Sequence, residues 1–375
     1  MMVLMVIFTA DRVITAGQVL APGWVQVCGD RIVEVGEGGP PSPADRHLTG
    51  TLVPGFVDIH CHGGGGATFT TGDADEARHA AAAHLRHGTT SPVASLVTDE
   101  VPVLERALSN LAPLVTEGVL AGIHLEGPWL ASDHCGAHDP GLVRPPSLDD
   151  VDRLIAAGAT GLRMVTIAPE LDGAVEAIRR LVDTGIVVAV GHTGATWEQT
   201  RAAIDAGARV ATHLFNQMGG LHHRRPGPVP ALLEDDRVRV ELISDGVHVH
   251  PAMLRMAHRA AGDRIVLVTD AMAAAAAGDG DYHLGPVPVQ VRGGVARTRS
   301  GAIAGSTLTM AEAVRHSVAS GFTVEQALDA ATRSPATTLG LTDVGEILRG
   351  NRADLVALDD DLQVTAVMRA GAWVT

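Results

Sequence analysis

The sequence predicts an α/β fold: a (β/α)8 TIM-like barrel with a small β-sandwich domain built from both chain ends. Three observations carry that prediction. From Val53 onward, eight apolar runs of strand length alternate with helix-length periodic segments, the pattern of βα units around a parallel sheet. The two ends of the chain break that rhythm and read as short strands separated by turns. Six of the eight runs carry a histidine or carboxylate at or near their ends, and in such barrels the C-terminal strand ends carry the chemistry.

Taken in order, the apolar start Met1–Ala10 has no basic flank or cleavage site and runs straight into Asp11 and Arg12. It reads as a first strand and not as a leader. Turns at Ala16–Gly17, Ala21–Gly23 and Gly29–Asp30 divide the rest of residues 1–52. The barrel strands follow at Val53–His62, Thr90–Val97, Leu120–Glu126, Leu162–Ala168, Val187–His192, Val210–Asn216, Val238–His248 and Ile265–Asp270. Between them, Asp75–His87, Val101–Val115, Leu148–Ala157, Gly173–Thr184, Trp197–Ala206 and Pro251–Ala261 are Ala-rich or amphipathic and predict outer helices. Ala273–Ala277 reads as a helical or loop linker. Gly285-Pro286 and Gly293-Gly294 make Asp279–Ser300 a β-hairpin insertion, and the helical stretch Leu308–Leu339 closes the barrel side. Strands return at Leu355–Leu358, Val364–Met368 and Trp373–Thr375. Neither end can bury a core alone. Residues 1–52 and 344–375 are therefore expected to pair as one domain beside a barrel of residues 53–343.

Composition narrows the function. The formal net charge of −15 disfavours nucleic acid and anionic membrane as partners, and no run reads as a membrane span. Cys28, Cys61 and Cys135 form no disulfide framework, so the cytoplasm is the expected location. The chain contains no lysine; all 28 residues counted as Lys+Arg are arginine. That excludes Schiff-base chemistry, a lysine-anchored pyridoxal cofactor and a Walker-type phosphate loop. It also excludes a carboxylated lysine as a metal bridge, so a two-metal site here needs a carboxylate.

The strand ends supply one. His60 and His62 flank Cys61 on an extended run, so both imidazoles face one way and the thiol the other. Two imidazoles at the mouth of a strand form half of a metal site, and Gly63–Gly66 let the backbone turn sharply behind them. Strand three ends in His124-Leu125-Glu126, strand five in His192, strand six in His213 and Asn216, strand seven in Asp245 and His248, strand eight in Asp270. So many ionisable groups at one barrel end are costly unless a cation pairs them. Glu126, His192 and His213 make the first expected metal site; His60 and His62 make a second, with Glu126 able to bridge. Asp270 stands where a general base takes a proton from an activated water, or else adds a ligand. His124 is left without a role. His79, His84 and His87 recur on an outer helix and read as solvated, and His222 and His223 as mouth residues without a catalytic part.

Eight motifs in order, covering nearly the whole chain, resemble the N-acetylglucosamine-6-phosphate deacetylases of the amidohydrolase superfamily. They are Pro54–Gly63, His124–Pro128, Gly136–His138, Gly191–Thr193, His213–Met218, Asp245–His248, Thr269–Met272 and Ala304–Met310. The resemblance implies metal ligation by Glu126, His192 and His213 and a catalytic Asp270. It implies that His138 touches substrate and polarises the acetyl carbonyl. Asn216, Gln217, Arg224 and His248 fall on substrate and phosphate contacts, and Ile303, just before the last motif, goes with them. One or two divalent ions per subunit are implied, zinc ahead of iron, cobalt, manganese or cadmium. The implied partners are a phosphorylated amino sugar and a second subunit, in a homodimer whose neighbour lends Arg224 across the interface.

The chain departs from that pattern in places. Arg225 stands where the family commonly has Glu, and shares or exchanges the phosphate role with Arg224. Both histidines of the first motif are present, which permits two metals. Cys135 lies where relatives often carry Lys, and is expected on a mobile lid near the metals with a regulatory role. The expected reaction is hydrolysis of N-acetylglucosamine 6-phosphate to glucosamine 6-phosphate and acetate, in amino-sugar catabolism and recycling. The competing readings are an amidohydrolase for another N-acyl amino sugar or a cyclic amide, and a non-catalytic scaffold.

Overall fold

The computed structural model describes residues 5–374. Eight parallel strands lie side by side in chain order: Phe56–Cys61, Thr89–Val97, Gly122–Glu126, Leu162–Ile167, Val187–Val190, Val210–Ala211, Arg239–Ile243 and Ile265–Val268. The eighth closes on the first through a Cys61–Ala271 bridge and a bond from the Asp270 N–H to the His60 carbonyl, 2.9 Å. Thr89–Val97 and Phe56–Cys61 are buried at every residue, as parallel strands between helices and a filled interior must be. The expected first run divides at Gly55: Arg46–Pro54 pairs with strands of the end sheet, and the barrel begins at Phe56. The apolar start forms the strand Met5–Thr15, while residues 1–4 and Thr375 lie outside the described residues.

The outer helices follow the periodicity. Trp197–Ala206, for example, starts at a Thr196–Gln199 capping box and stops at Gly207, φ +118°, a conformation that favours glycine. One helix was not anticipated, Pro228–Glu234 between strands six and seven. It opens on Pro228, and proline suits the first turn of a helix, where its missing N–H costs nothing. The insertion after strand eight has three strands where a hairpin was expected: Gly280–Leu284, Val287–Arg292 and Val295–Thr298.

The two chain ends form one eight-stranded sheet. Its order runs from Ala372–Trp373 through Val364–Arg369, Leu355–Leu358 and Arg46–Pro54 to Met5–Thr15 and beyond. Phe8 and Trp373 lie four strands apart in that order, about 19 Å in a flat sheet. Their rings are nevertheless 5.3 Å apart. The sheet therefore curls over its own core, which holds Val13, Val25, Ile32, Leu52, Leu355 and Met368.

Candidate active site and metal centre

Glu126 ends the third barrel strand and is 2% exposed. One of its oxygens, Oε1, lies 3.0 Å from His192 Nε2 and 2.9 Å from His213 Nε2. The other, Oε2, lies 3.1 Å from His62 Nε2 and 3.4 Å from His60 Nε2. Asp270 Oδ1 faces the second pair, 3.2 Å from His62 and 3.6 Å from His60. Two ligand groups result, His60–His62–Glu126–Asp270 and Glu126–His192–His213, and they share Glu126.

The donor chemistry fits divalent cations. A carbonyl or carboxylate can only accept, so its partner nitrogen carries the proton. His62 Nδ1 donates to the Ser95 carbonyl at 3.1 Å, His192 Nδ1 to the His134 carbonyl at 2.8 Å, and His60 Nδ1 to Glu241 at 3.1 Å. Each ring, when neutral, then turns an Nε2 lone pair inward, the arrangement of metal-binding histidines. His60 and His62 Nε2 are only 3.2 Å apart, a lone-pair contact that needs a cation or proton between. All ion-pair partners of Glu126, Asp270 and Glu241 among the described residues are histidines. Three buried carboxylates without an arginine call for positive charge.

The electrostatics differ between the two groups. Burial works against a charged imidazole, but bonds to Asp270 and Glu126 outweigh it and lift His62 to about 9. His60 likewise rises well above the ordinary value, burial being overcome by Glu126 and Glu241. At His192 burial outweighs Glu126, and the ring falls to about 4. Burial pushes Glu126 up, but His60 and His192 hold it well below the usual carboxylate range. Asp270 is also lowered, burial being overcome by its bond to His62 and the charges of His60 and His62.

The backbone around these groups is strained and clamped. His192, His213 and Asp270 have φ of 48°, 26° and 48°, a left-handed region that non-glycine residues enter at a cost, often at functional sites. The loop after strand eight is fastened on both sides. Asp58 accepts the Thr269 hydroxyl at 2.6 Å, and Ser306 donates its hydroxyl to the Thr269 carbonyl at 2.6 Å and its N–H to the Asp270 carbonyl at 2.7 Å. The Ala273–Ala277 linker is a turn whose carbonyls at Ala273 and Ala275 accept the Gly66 and Gly65 N–H groups.

His84 corrects the reading of the first outer helix, Ala74–Arg86. It is 1% exposed, not solvated, and its Nε2 lies 2.9 Å from the Gly63 carbonyl and 3.3 Å from Cys61 Sγ. His79, which is exposed, reaches the Gly65 carbonyl at 3.1 Å. The helix thus holds the glycine run in place from outside.

A cavity of about 150 Å³ opens over the ligand groups. Among its lining residues are His62, Glu126, His138, His192, His213, Asn216, Gln217, His248, Asp270 and Ile303. His138 Nδ1 accepts the Thr98 N–H at 3.2 Å, so the neutral ring carries its proton on Nε2, 3.3 Å from Glu126. His248 Nδ1 is 2.6 Å from Asp245, which also accepts the His248 N–H. His124 lies below the cavity, bonded to Ser95 and Thr166 at 3.0 and 2.8 Å, and joins neither ligand group.

Three expected residues stand apart. Arg224 and Arg225 are exposed and do not line the cavity. Cys135 is 9% exposed, burial pushes its thiol up, and it belongs to neither ligand group. It sits between the His134 carbonyl that holds His192 and the cavity-lining Gly136–His138. Leu284, from the insertion, lines the cavity and carried no sequence signal. Glu241, mid-strand in an apolar run, carries no sequence signal either.

A parallel barrel whose rim gathers paired histidines around one shared carboxylate defines a metal-dependent hydrolase. The chain belongs to the amidohydrolase family, whose pattern matches residues 51–374. It is similar to an N-acetylgalactosamine-6-phosphate deacetylase of Escherichia coli O157:H7, 43% identical over 85% of this chain and 86% of that protein. It is 36% identical to an N-acetylglucosamine-6-phosphate deacetylase of Vibrio furnissii, over 98% of this chain and 94% of that one. Among solved structures, an N-acetyl-D-glucosamine-6-phosphate deacetylase mutant from Mycobacterium smegmatis, in complex with N-acetyl-D-glucosamine-6-phosphate, superposes with a TM-score of 0.97. The two are 52% identical over 99% of this chain and 100% of that one. Among the described residues, no helix is long and apolar enough to cross a membrane.

Proposed function

We propose that this chain hydrolyses the amide of N-acetylglucosamine 6-phosphate, releasing glucosamine 6-phosphate and acetate. The observation that carries the reading is Glu126, with one oxygen on each histidine pair and Asp270 and His138 on the same cavity. Glu126, His192 and His213 would hold one divalent ion, and His60, His62, Glu126 and Asp270 a second; such ions would supply Lewis acidity and lower the pKa of a water. Zinc is our first choice for both sites, since imidazole and carboxylate ligands suit it. Asp270 accepts the proton of the attacking water and returns it to the leaving nitrogen, so the amine departs neutral. His138 points its Nε2–H at the acetyl oxygen and stabilises the tetrahedral oxyanion.

The phosphate falls to His248, Asn216, Gln217 and the two arginines. Arg224 and Arg225 have no carboxylate within 4.0 Å among the described residues and lie outside their own cavity, which supports their serving a partner's site in a homodimer. Three free cysteines support a cytoplasmic location. A regulatory part for Cys135 rests on its place between the loop elements that hold His192 and His138, and thiol sensitivity lost in Cys135→Ser is its test.

A second reading has support in the galactosamine relative: the epimeric sugar phosphate as substrate. Acetate release from N-acetylglucosamine 6-phosphate, its galactosamine epimer and unphosphorylated N-acetylglucosamine separates the readings. Fast turnover of the first, dependent on metal and phosphate, is the expected result. A preference for the epimer overturns the substrate, and turnover of none overturns the function.

A further inference from the structure

Glu241 lies in the seventh barrel strand, fully buried beneath the ligand groups. Its Oε2 accepts two hydrogen bonds, from His60 Nδ1–H at 3.1 Å and from the His213 backbone N–H at 3.0 Å. Its Oε1 is buried without a hydrogen-bond partner. Its backbone carbonyl accepts the Leu214 N–H at 2.9 Å, so side chain and main chain together hold the turn that presents His213.

We propose that Glu241 is a positioning residue that makes His60 a metal ligand and joins the two halves of the centre. Three features argue for it. First, His60, like His62, needs a tautomer lock. Its Nε2 faces Glu126 Oε2 at 3.4 Å and Asp270 Oδ1 at 3.6 Å, both acceptors for an Nε2–H. Those two carboxylates favour the tautomer that removes the lone pair from the cavity, and Glu241 opposes them from the other side of the ring. Second, the lock is of a different kind from the others. His62 and His192 donate to backbone carbonyls, whereas His60 donates to a side-chain carboxylate, which raises ligand basicity as well as orienting the ring. Third, the same oxygen reaches one residue of each ligand group, His60 of one and His213 of the other. A shift of Glu241 is therefore felt on both sides of Glu126.

The inference rests on the two-ion reading above, and the test separates the two. Chelator-stripped protein is titrated with zinc chloride against a chromophoric chelator, for wild type, Glu241→Gln, His60→Ala and the double variant. Wild type is expected to bind two ions per chain. Glu241→Gln is expected to weaken one of them by about 10- to 100-fold, the usual effect of losing an outer partner of a ligand, and the other by less. In the His60→Ala background the same change leaves the remaining ion within about threefold, because the lock on His60 is gone and a Gln amide oxygen can still accept the His213 N–H. A general structural role would weaken both ions equally and persist without His60, which overturns the inference. Two ions of wild-type affinity in Glu241→Gln overturn it too, while leaving the two-ion reading intact. A wild-type chain that binds a single ion overturns that reading and the inference with it. If the amide variant does not fold, Glu241→Asp, whose carboxylate falls one methylene short of His60, gives the same contrast.

Discussion

Single residues divide the chemistry among themselves, and each division is measurable. Asp270→Asn should lower kcat by about 10²- to 10⁴-fold, the range for a lost general acid-base, while substrate still binds; acetate release and equilibrium binding check the two halves of that statement. His138→Ala should lower kcat by about 10²- to 10³-fold with a smaller change in KM, as for a lost oxyanion donor, read from steady-state kinetics. The histidines make a third prediction, about pH. His62 has a folded pKa of about 9 against an ordinary 6.5. Its stabilising contribution is thus full below about 6.5 and lost as pH rises through 9. His192 is depressed to about 4, so its contribution is present above 6.5 and lost as pH falls toward 4. Metal-free protein should therefore be most stable near pH 6.5, and zinc should flatten the alkaline decline by replacing protons at Nε2. Thermal unfolding across pH 4–9, with and without zinc, tests this; an unchanged Tm in the stripped protein would count against it. His60 and His62 were legible because a strand's period of two puts them on one side. Glu241 was not, because a lone carboxylate inside Val240–Leu242 also fits an outward-facing position, and only closure of the barrel shows which way it points.

Elements position those residues, and the first outer helix shows how. A Cβ at Gly64 would sit 2.6 Å from His84 Nε2, so Gly64→Ala must push either the loop or the helix. It should cost about 1–3 kcal/mol of stability, as overpacking does, and urea unfolding of the zinc-loaded protein would measure it. Helical spacing alone said that His84 and His79 recur on one helix, but not how deeply each is set. The buried Ala77, Ala80, Ala81 and Ala83 around His84 mark the inward face; read together with the histidines, they could have placed it. Strands and helices were largely readable because apolar period and length both change at each boundary. The boundary at Gly55 was not, since an unbroken apolar run covers a strand of each sheet. The extra strand of the insertion escaped for a similar reason: Val295–Thr298 is four residues long and only partly buried, too short to carry a period.

At the scale of the whole molecule, the proposed loan of Arg224 by a neighbouring chain makes a prediction about mixtures of variants. Asp270→Asn and Arg224→Ala should each be poorly active alone. If the neighbour supplies Arg224, mixing and re-equilibrating the two restores one intact site in each mixed dimer, about a quarter of wild-type activity by random exchange. No recovery on mixing would place Arg224 in its own site or outside catalysis.

The end sheet has a consequence in time. Arg46–Pro54 leaves the ribosome early, yet one of its two neighbours, Leu355–Leu358, is about 300 residues later. At translation rates of about 5–20 residues per second that strand waits roughly 15–60 s with an open edge. The wait falls on a buried, apolar stretch, Gly50–Pro54, of the kind that pairs with whatever edge is near. Synthesis, more than the finished enzyme, is the stage at which this architecture is exposed to aggregation. Removing Leu355–Leu358 and the strands after it should therefore harm yield from cells before it harms catalysis.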